Sequence, residues 1–262
     1  MCLILFALDV SPRFPLIMAA NRDEFYHRPA TPMDFWPKPL DILAGKDVSA
    51  GGTWFGITRS GKFAALTNFR DPSRMISQAP TRGEIITDLL SSDRPLAQGM
   101  DQLFKCSARY NGFNLLAGSP QGNQLDLCWF SNQGEGVEKV DPGIHGLSNA
   151  FLDTPWPKIQ RGKQMLTQLI QAGQEGDDQA LFQLLADTKT PGDDELPHTG
   201  VGLEWERVLS PLFIQSPTYG TRASTLVRMD NTGGFSISER TYDPTDVTRF
   251  TDRNFTIDPS LP

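Results

Sequence analysis

Residues 2–8 form an unbroken apolar run, too short for a core helix and the length of a buried strand. Ser11-Pro12 and Pro15 mark a turn. Residues 16–20 are a second apolar run, so the pattern predicts a hairpin whose second arm ends at Asn21-Arg22-Asp23-Glu24. Residues 29–39 hold four prolines and read as an extended connector rather than a core element. A second hairpin is expected over residues 54–58 and 62–68, turning at Ser60-Gly61, with Asn68 at its far end. Thr81-Arg82-Gly83-Glu84 has the spacing of a capping box, with Thr81 capping and Glu84 reaching back. Ile85, Ile86, Leu89 and Leu90 continue it as a helix, and a second helix over residues 95–108 lines up Leu96, Met100, Leu103 and Phe104.

Strands are expected at residues 113–117 and 125–130, and an extended segment at 144–149. Residues 158–171 and 178–186 are helical by spacing, and residues 187–202 read as a Pro/Gly/Asp loop. A late hairpin spans residues 221–229 and 235–241, and the tail to residue 262 reads as irregular. Runs of antiparallel strands separated by helix pairs predict a layered α/β sandwich rather than an alternating parallel sheet.

The 262 residues suit one large α/β domain or two small ones. A formal net charge of −7 with no Lys/Arg cluster lacks the footprint of a nucleic-acid binder and disfavours anionic membrane surfaces. Cys2, Cys106 and Cys128 form neither a metal spacing nor a disulfide framework, so a reducing cytoplasm is the expected location. The first apolar run stops at Asp9, short of a secretory signal or a membrane helix. A soluble, untargeted protein with no stable membrane insertion is expected.

Cys2 is the sharpest chemical feature. Removal of Met1 would leave a free α-amine beside the thiol, joining a nucleophile to a base of pKa roughly 7.7–8.0. The same residue also suits a small apolar position opening a buried strand. Cys106 and Cys128, within a helix and a strand, read as packing residues. The Asn21–Glu24 tetrad returns near the N-terminus, where Asp23 could accept from an ammonium group and Arg22 could lower a thiol pKa. A solvated strand end with a surface ion pair has the same appearance. Asn68 and Asn149 each follow an apolar segment and could be oxyanion donors or turn asparagines. Arg222 opens the late hairpin as an anion-binding or an edge arginine. His27, His145 and His198 give no zinc spacing, and neither Ser148 nor Ser224 sits in a nucleophile elbow.

Met1-Cys2, Ala20-Asn21-Arg22-Asp23-Glu24-Phe25, Gly51-Gly52-Thr53-Trp54, Leu66-Thr67-Asn68, Thr81-Arg82-Gly83-Glu84, Gly146-Leu147-Ser148-Asn149 and Gly220-Thr221-Arg222-Ala223-Ser224-Thr225 occur in order over nearly the whole chain. Together they resemble the NRDE family, which includes the transport and Golgi organisation two proteins. The resemblance implies one domain over residues 1–262, a four-layer αββα sandwich of antiparallel sheets as in N-terminal-nucleophile hydrolases. It places the nucleophile at Cys2, its partner at Asp23, oxyanion asparagines at Asn68 and Asn149, and a late arginine at Arg222, with Arg228 second. Asn21, Arg22, Glu24 and Trp54 are expected around the substrate. One departure stands out: those hydrolases place Arg-Asn ahead of the Asp, whereas here the order is Asn21-Arg22-Asp23. Adjacent strand residues face opposite ways, so Arg22 and Asp23 share a pocket only if the strand ends or bulges there.

The family's biology implies three functions. The first is a cysteine amidase or thioesterase acting on a small acyl or amide compound. The second is a haem-binding or haem-trafficking protein, with Cys2, His27, Met18 or Met33 as axial ligands. The third is an acyl-CoA or lipid binder in which Arg22 or Arg222 meets phosphate. No metal is expected and no cofactor is required, haem being a candidate bound ligand.

Overall fold

The structure, a computed structural model, describes residues 2–122 and 124–259. Strands β1 (Cys2–Leu8), β2 (Leu16–Phe25), β3 (Ala30–Phe35), β4 (Ile42–Asp47), β5 (Phe55–Thr58) and β6 (Phe63–Asn68) come first. Helices α1 (Gly83–Ser91) and α2 (Leu96–Cys106) lead to β7 (Phe113–Gln121), β8 (Gln124–Ser131), β9 (Val137–Lys139) and β10 (Gly143–Leu147). Then follow α3 (Pro157–Gln171), α4 (Asp178–Leu185), α5 (Leu203–Val208), β11 (Tyr219–Met229), β12 (Phe235–Asp243) and β13 (Asp246–Ile257). One sheet has the order β10-β1-β2-β11-β12-β13 and the other β3-β4-β5-β6-β7-β8-β9, all pairings antiparallel.

Strand β1 explains why its sequence is apolar at every position. Ile4, Phe6 and Leu8 enter the core between the sheets with Met18, Phe63 and Leu116. Leu3, Leu5 and Ala7 face the other way, against Leu166 of α3 and Leu181 and Phe182 of α4. A strand buried on both faces loses the alternation of a half-exposed one. On the second sheet, α1 and α2 pack Ile86, Leu90 and Met100 onto Ala64, Leu115 and Phe130. The layers therefore run helix, sheet, sheet, helix, a four-layer αββα sandwich. No helix among the described residues is long and apolar enough to cross a membrane.

Several elements depart from expectation. Strand β2 does not stop before the polar tetrad but carries it on to Phe25, with β1 and β11 as partners on either side. Residues 30–35 form an edge strand rather than a connector. Pro32 falls at a register irregularity between Thr31 and Asp34, where an edge strand tolerates a missing donor. Met33 there is fully buried, and its amide donates to Glu239 Oε1 at 2.5 Å. Residues 246–257 form a further edge strand rather than an irregular tail; it is largely exposed on both faces, so it shows little alternation. The capping box does not form: α1 opens after Arg82, and Glu84 Oε1 accepts instead from the Tyr110 hydroxyl at 2.8 Å. Phe104 is 45% exposed, at the edge of the α2 face rather than within it.

Candidate functional site

Register pairs Cys2 with Arg22 across the β1–β2 hairpin, at the open end of the sandwich. There a cleft of about 290 Å³ opens between the sheets. The first sheet contributes Cys2, Arg22, Asp23 and Glu24; the second contributes Leu66 and Asn68, with Trp54 standing just ahead of β5. The loop before α1 closes one wall with Thr81, Arg82 and Gly83. Arg22 and Asp23 both line the cleft, although neighbours on a strand. Opposite them β11 bulges between Thr221 and Ala223. A bulge bends and twists the strands it joins, which lets consecutive residues reach one opening.

The Gly51-Gly52-Thr53-Trp54 segment acts through contact. A Cβ on Gly52 would lie 2.4 Å from the Gly83 carbonyl carbon, so this glycine lets two wall segments touch. A Cβ on Gly45 would lie 2.3 Å from the Trp54 ring, so its absence gives the indole room. That indole carries the Arg22 guanidinium, 4.2 Å from the ring centroid.

The Cys2 side chain is half-buried. Burial pushes its thiol pKa up and the Asp23 carboxylate adds to the rise; Arg22 and a hydrogen bond with the Asp23 backbone oppose it. Asp23 is itself raised by burial, against Lys158, the Thr221 hydroxyl and Arg22. Thr221 Oγ1 donates to Asp23 Oδ1 at 2.7 Å and accepts from the Ile214 amide at 2.9 Å. Behind Asp23 lies a buried charged cluster. Arg70 Nη1 donates to Glu206 Oε2 at 2.7 Å, and the Thr199 amide and hydroxyl both donate to Glu206 Oε1. Lys158 Nζ donates to the Leu209 carbonyl at 3.0 Å, and burial pulls its pKa down to about 7.

Asn149 lies outside the cleft lining. Its Nδ2 donates to the Asn68 carbonyl at 2.9 Å while Oδ1 accepts from Arg70, so it fastens the strand end that presents Asn68. Asn21 faces the helical layer, donating to the carbonyls of Leu185 and Leu212, both at 2.9 Å. Arg222 is the bulged residue of β11; its Nη1 donates to the carbonyls of Phe25, Tyr26 and Arg28 and ties down the turn after β2. Arg228 pairs with Asp178. Met18 and Met33 lie in the core between the sheets, and the His27 ring lies tilted against Phe25, centroids 5.5 Å apart, outside the cleft lining. Met1, whose removal the sequence suggests, lies outside the described residues.

Reading of the sequence passed over Arg28, Asp47 and Arg82 on the cleft wall, and Arg70, Lys158 and Glu206 behind it. Arg82 stands inside a motif that reads as a helix cap and carries part of the family resemblance, with no site role given to it. The others come from segments without a distinguishing pattern.

The chain is thus an αββα sandwich whose first strand opens with a cysteine at the mouth of a polar cleft. Residues 1–244 match the family described as Transport and Golgi organisation 2, and the chain belongs to that family. It is 38% identical to the Transport and Golgi organization protein 2 homolog of Bos taurus over 95% of this chain and 96% of that one. The Homo sapiens homolog is 35% identical over 97% of this chain and 98% of that one. Among solved structures, a Caenorhabditis elegans N-acylethanolamine-hydrolyzing acid amidase ortholog superposes with a TM-score of 0.49 at 13% identity, covering 88% of this chain and 93% of that one. A mutant conjugated bile acid hydrolase from Clostridium perfringens does so with a TM-score of 0.44 at 11% identity, over 97% and 92%.

Proposed function

We propose that the cleft binds a small acyl or amide compound and that Cys2 is the nucleophile attacking its carbonyl. The carrying observation is the convergence of Cys2, Asp23 and Asn68 on one opening at the end of the first hairpin. A volume near 290 Å³ is at the small end of ligand pockets, which favours a compact acyl group over a fully enclosed larger ligand.

Because burial raises the thiol pKa, the reaction needs a base at the moment of attack. Removal of Met1 would supply it: the α-amine of Cys2 takes the thiol proton as Sγ bonds to the carbonyl carbon. Asp23 accepts hydrogen bonds from the resulting ammonium, and the Asn68 amide donates to the developing oxyanion. The oxyanion collapses, the bond to the leaving group breaks, and the proton passes to that group. Water then cleaves the thioester and regenerates the thiol. Asn149 positions Asn68 rather than touching substrate.

Intact-mass measurement after incubation with p-nitrophenyl acetate tests this reading. The expected result is one acetyl adduct on a chain lacking Met1, absent from Cys2→Ala. An equal adduct in that variant, or neither an adduct nor Cys2-dependent release of p-nitrophenolate in the wild type, removes Cys2 as the nucleophile; retention of Met1 removes the amine as its base.

A further inference from the structure

Lys158 occupies the second position of α3, after Pro157, and is 5% exposed. Neither fact is explained by the helix. A helix N-terminus carries partial positive charge and favours anions, so α3 gains nothing from a cation there. Lysine is almost never fully buried unless something answers its charge. Among the described residues Nζ makes one hydrogen bond, to the carbonyl of Leu209 just after α5, at 3.0 Å. An ammonium group has three donors, and a single neutral carbonyl leaves its charge unbalanced.

Four ionisable groups act on Lys158: Arg70 from the segment after β6, Asp23 from β2, Glu206 from α5 and Cys2 from β1. Arg70 and Glu206 meet at 2.7 Å and balance each other. Lys158 and Asp23 are then the remaining cation and anion of the cluster. Asn21 and Asp23 lie on one face of β2, and that face meets the helical layer, where Asn21 donates to Leu185 at the end of α4. Lys158 comes from the same layer. Around Asp23 stand also the Thr221 hydroxyl, Arg22 and Tyr219. Lys158 acts on Asp23 more strongly than does Arg22, which is drawn onto the Trp54 ring.

Asp23 is 2% exposed, and a buried carboxylate without a nearby cation takes up a proton instead. The amine that serves as base must be neutral before attack, so it cannot supply that cation. We propose that Lys158 is a positioning residue of the Cys2 site, its buried ammonium holding Asp23 as a carboxylate while the α-amine of Cys2 is still neutral. Once the amine has taken the thiol proton, Asp23 is ready to accept from it. Lys158 neither touches substrate nor gives up a proton in that step. Its hold on Asp23 follows from the cluster alone, whereas its use in catalysis rests on the acyl reading.

The Asp23 titration, followed by carbon NMR of protein labelled at the aspartate carboxyl carbon and assigned through Asp23→Asn, tests the hold directly. Two neutral variants separate charge from shape: Lys158→Met keeps the length of the side chain, and Lys158→Gln keeps a donor for Leu209. In both, Asp23 is expected to titrate about one pH unit higher, the mark of a lost neighbouring cation. Below that midpoint, acetylation of Cys2 by p-nitrophenyl acetate should run about tenfold slower than in the wild type. The gap should close toward pH 8, where Asp23 is ionised in every protein and Lys158, with a pKa of about 7, has released its own proton. A lysine that only braced the fold would slow acetylation equally at every pH. An unmoved Asp23 titration, or a rate ratio that does not change with pH, overturns the proposal. Circular dichroism confirms that each variant is folded, and either variant alone decides the matter. No adduct in the wild type removes the acyl reading and the catalytic use of Lys158 with it, while a raised Asp23 midpoint still upholds the hold.

Discussion

Asp23 stands between two groups of charges, one centred on a direct ion pair and one without it. Behind it, Arg70 and Glu206 are each 4% exposed and meet at 2.7 Å. Every oxygen of that carboxylate is engaged, two donors coming from Thr199. Asn149 and the Trp156 ring hold two more sides of Arg70, leaving its Nε without an acceptor among the described residues. In front, Arg22 is almost as buried yet has no carboxylate within hydrogen-bond length, the nearest lying 3.9 Å away and already held by Arg28. The rear cluster is centred on a direct ion pair, which belongs to the scaffold. Arg22 has no such pair where the cleft opens.

Breaking the rear pair gives the largest expected effect. Glu206→Ala leaves Arg70 charged and buried without its partner, and such a loss costs roughly 3–5 kcal/mol. Urea denaturation of the two proteins measures it. A difference under about 1 kcal/mol, the range of an exposed pair, would show that this pair does not act as a buried one.

The front arginine should respond otherwise. Arg22→Met removes a buried cation whose polar partners are few, and keeps an apolar stem against Trp54. The lost cation–π contact and the relieved desolvation oppose one another, so stability should change by no more than about 1 kcal/mol in either direction. Function trades against stability in this way at binding sites. The same denaturation series checks the point; a loss comparable to that of Glu206→Ala would place Arg22 in the scaffold with Arg70.

This contrast also shows which parts of the molecule were legible in the sequence. Hairpin β1–β2 was legible because its apolar runs and prolines act locally, and with it the placement of Cys2 beside Arg22. The sandwich followed from the order of strand and helix pairs. What escaped depended on contacts distant in the chain. Strand β3 is held by Glu239, more than 200 residues away, and no local pattern announces that. Arg70 and Glu206 meet over 136 residues, and each alone resembles a surface charge. Arg222 shows the converse: it sits in a distinctive motif, yet its guanidinium is spent on three backbone carbonyls of a turn. The Asn21-Arg22-Asp23 order suggested opposed side chains because strand alternation is a property of one strand, whereas the bulge belongs to its neighbour.

The smallest expected effect comes from a pair remote from both clusters and calibrates them. His145 Nδ1 and Asp153 Oδ2 are 2.7 Å apart, and Lys163 Nζ reaches Asp153 Oδ1 at 2.6 Å. The hydrogen bond with Asp153 raises the His145 pKa above its usual 6.5. Burial would raise Asp153, but its bonds with His145, Lys163 and the Gly146 amide prevail and hold it at about 2. Raised histidine stability is complete below the unfolded value of about 6.5 and is lost as pH climbs through the folded one. Lowered aspartate stability is complete above about 3.9 and is lost as pH falls through about 2. The pair therefore contributes most between about pH 4 and 6.5, by roughly 1 kcal/mol or less for side chains in partial contact with water. His145→Gln should flatten the fall in Tm between pH 6 and 8 while leaving acyl labelling of Cys2 unchanged. Parallel Tm curves for the two proteins would show that this ion pair carries no pH dependence, and would assign any dependence seen in the wild type to other groups.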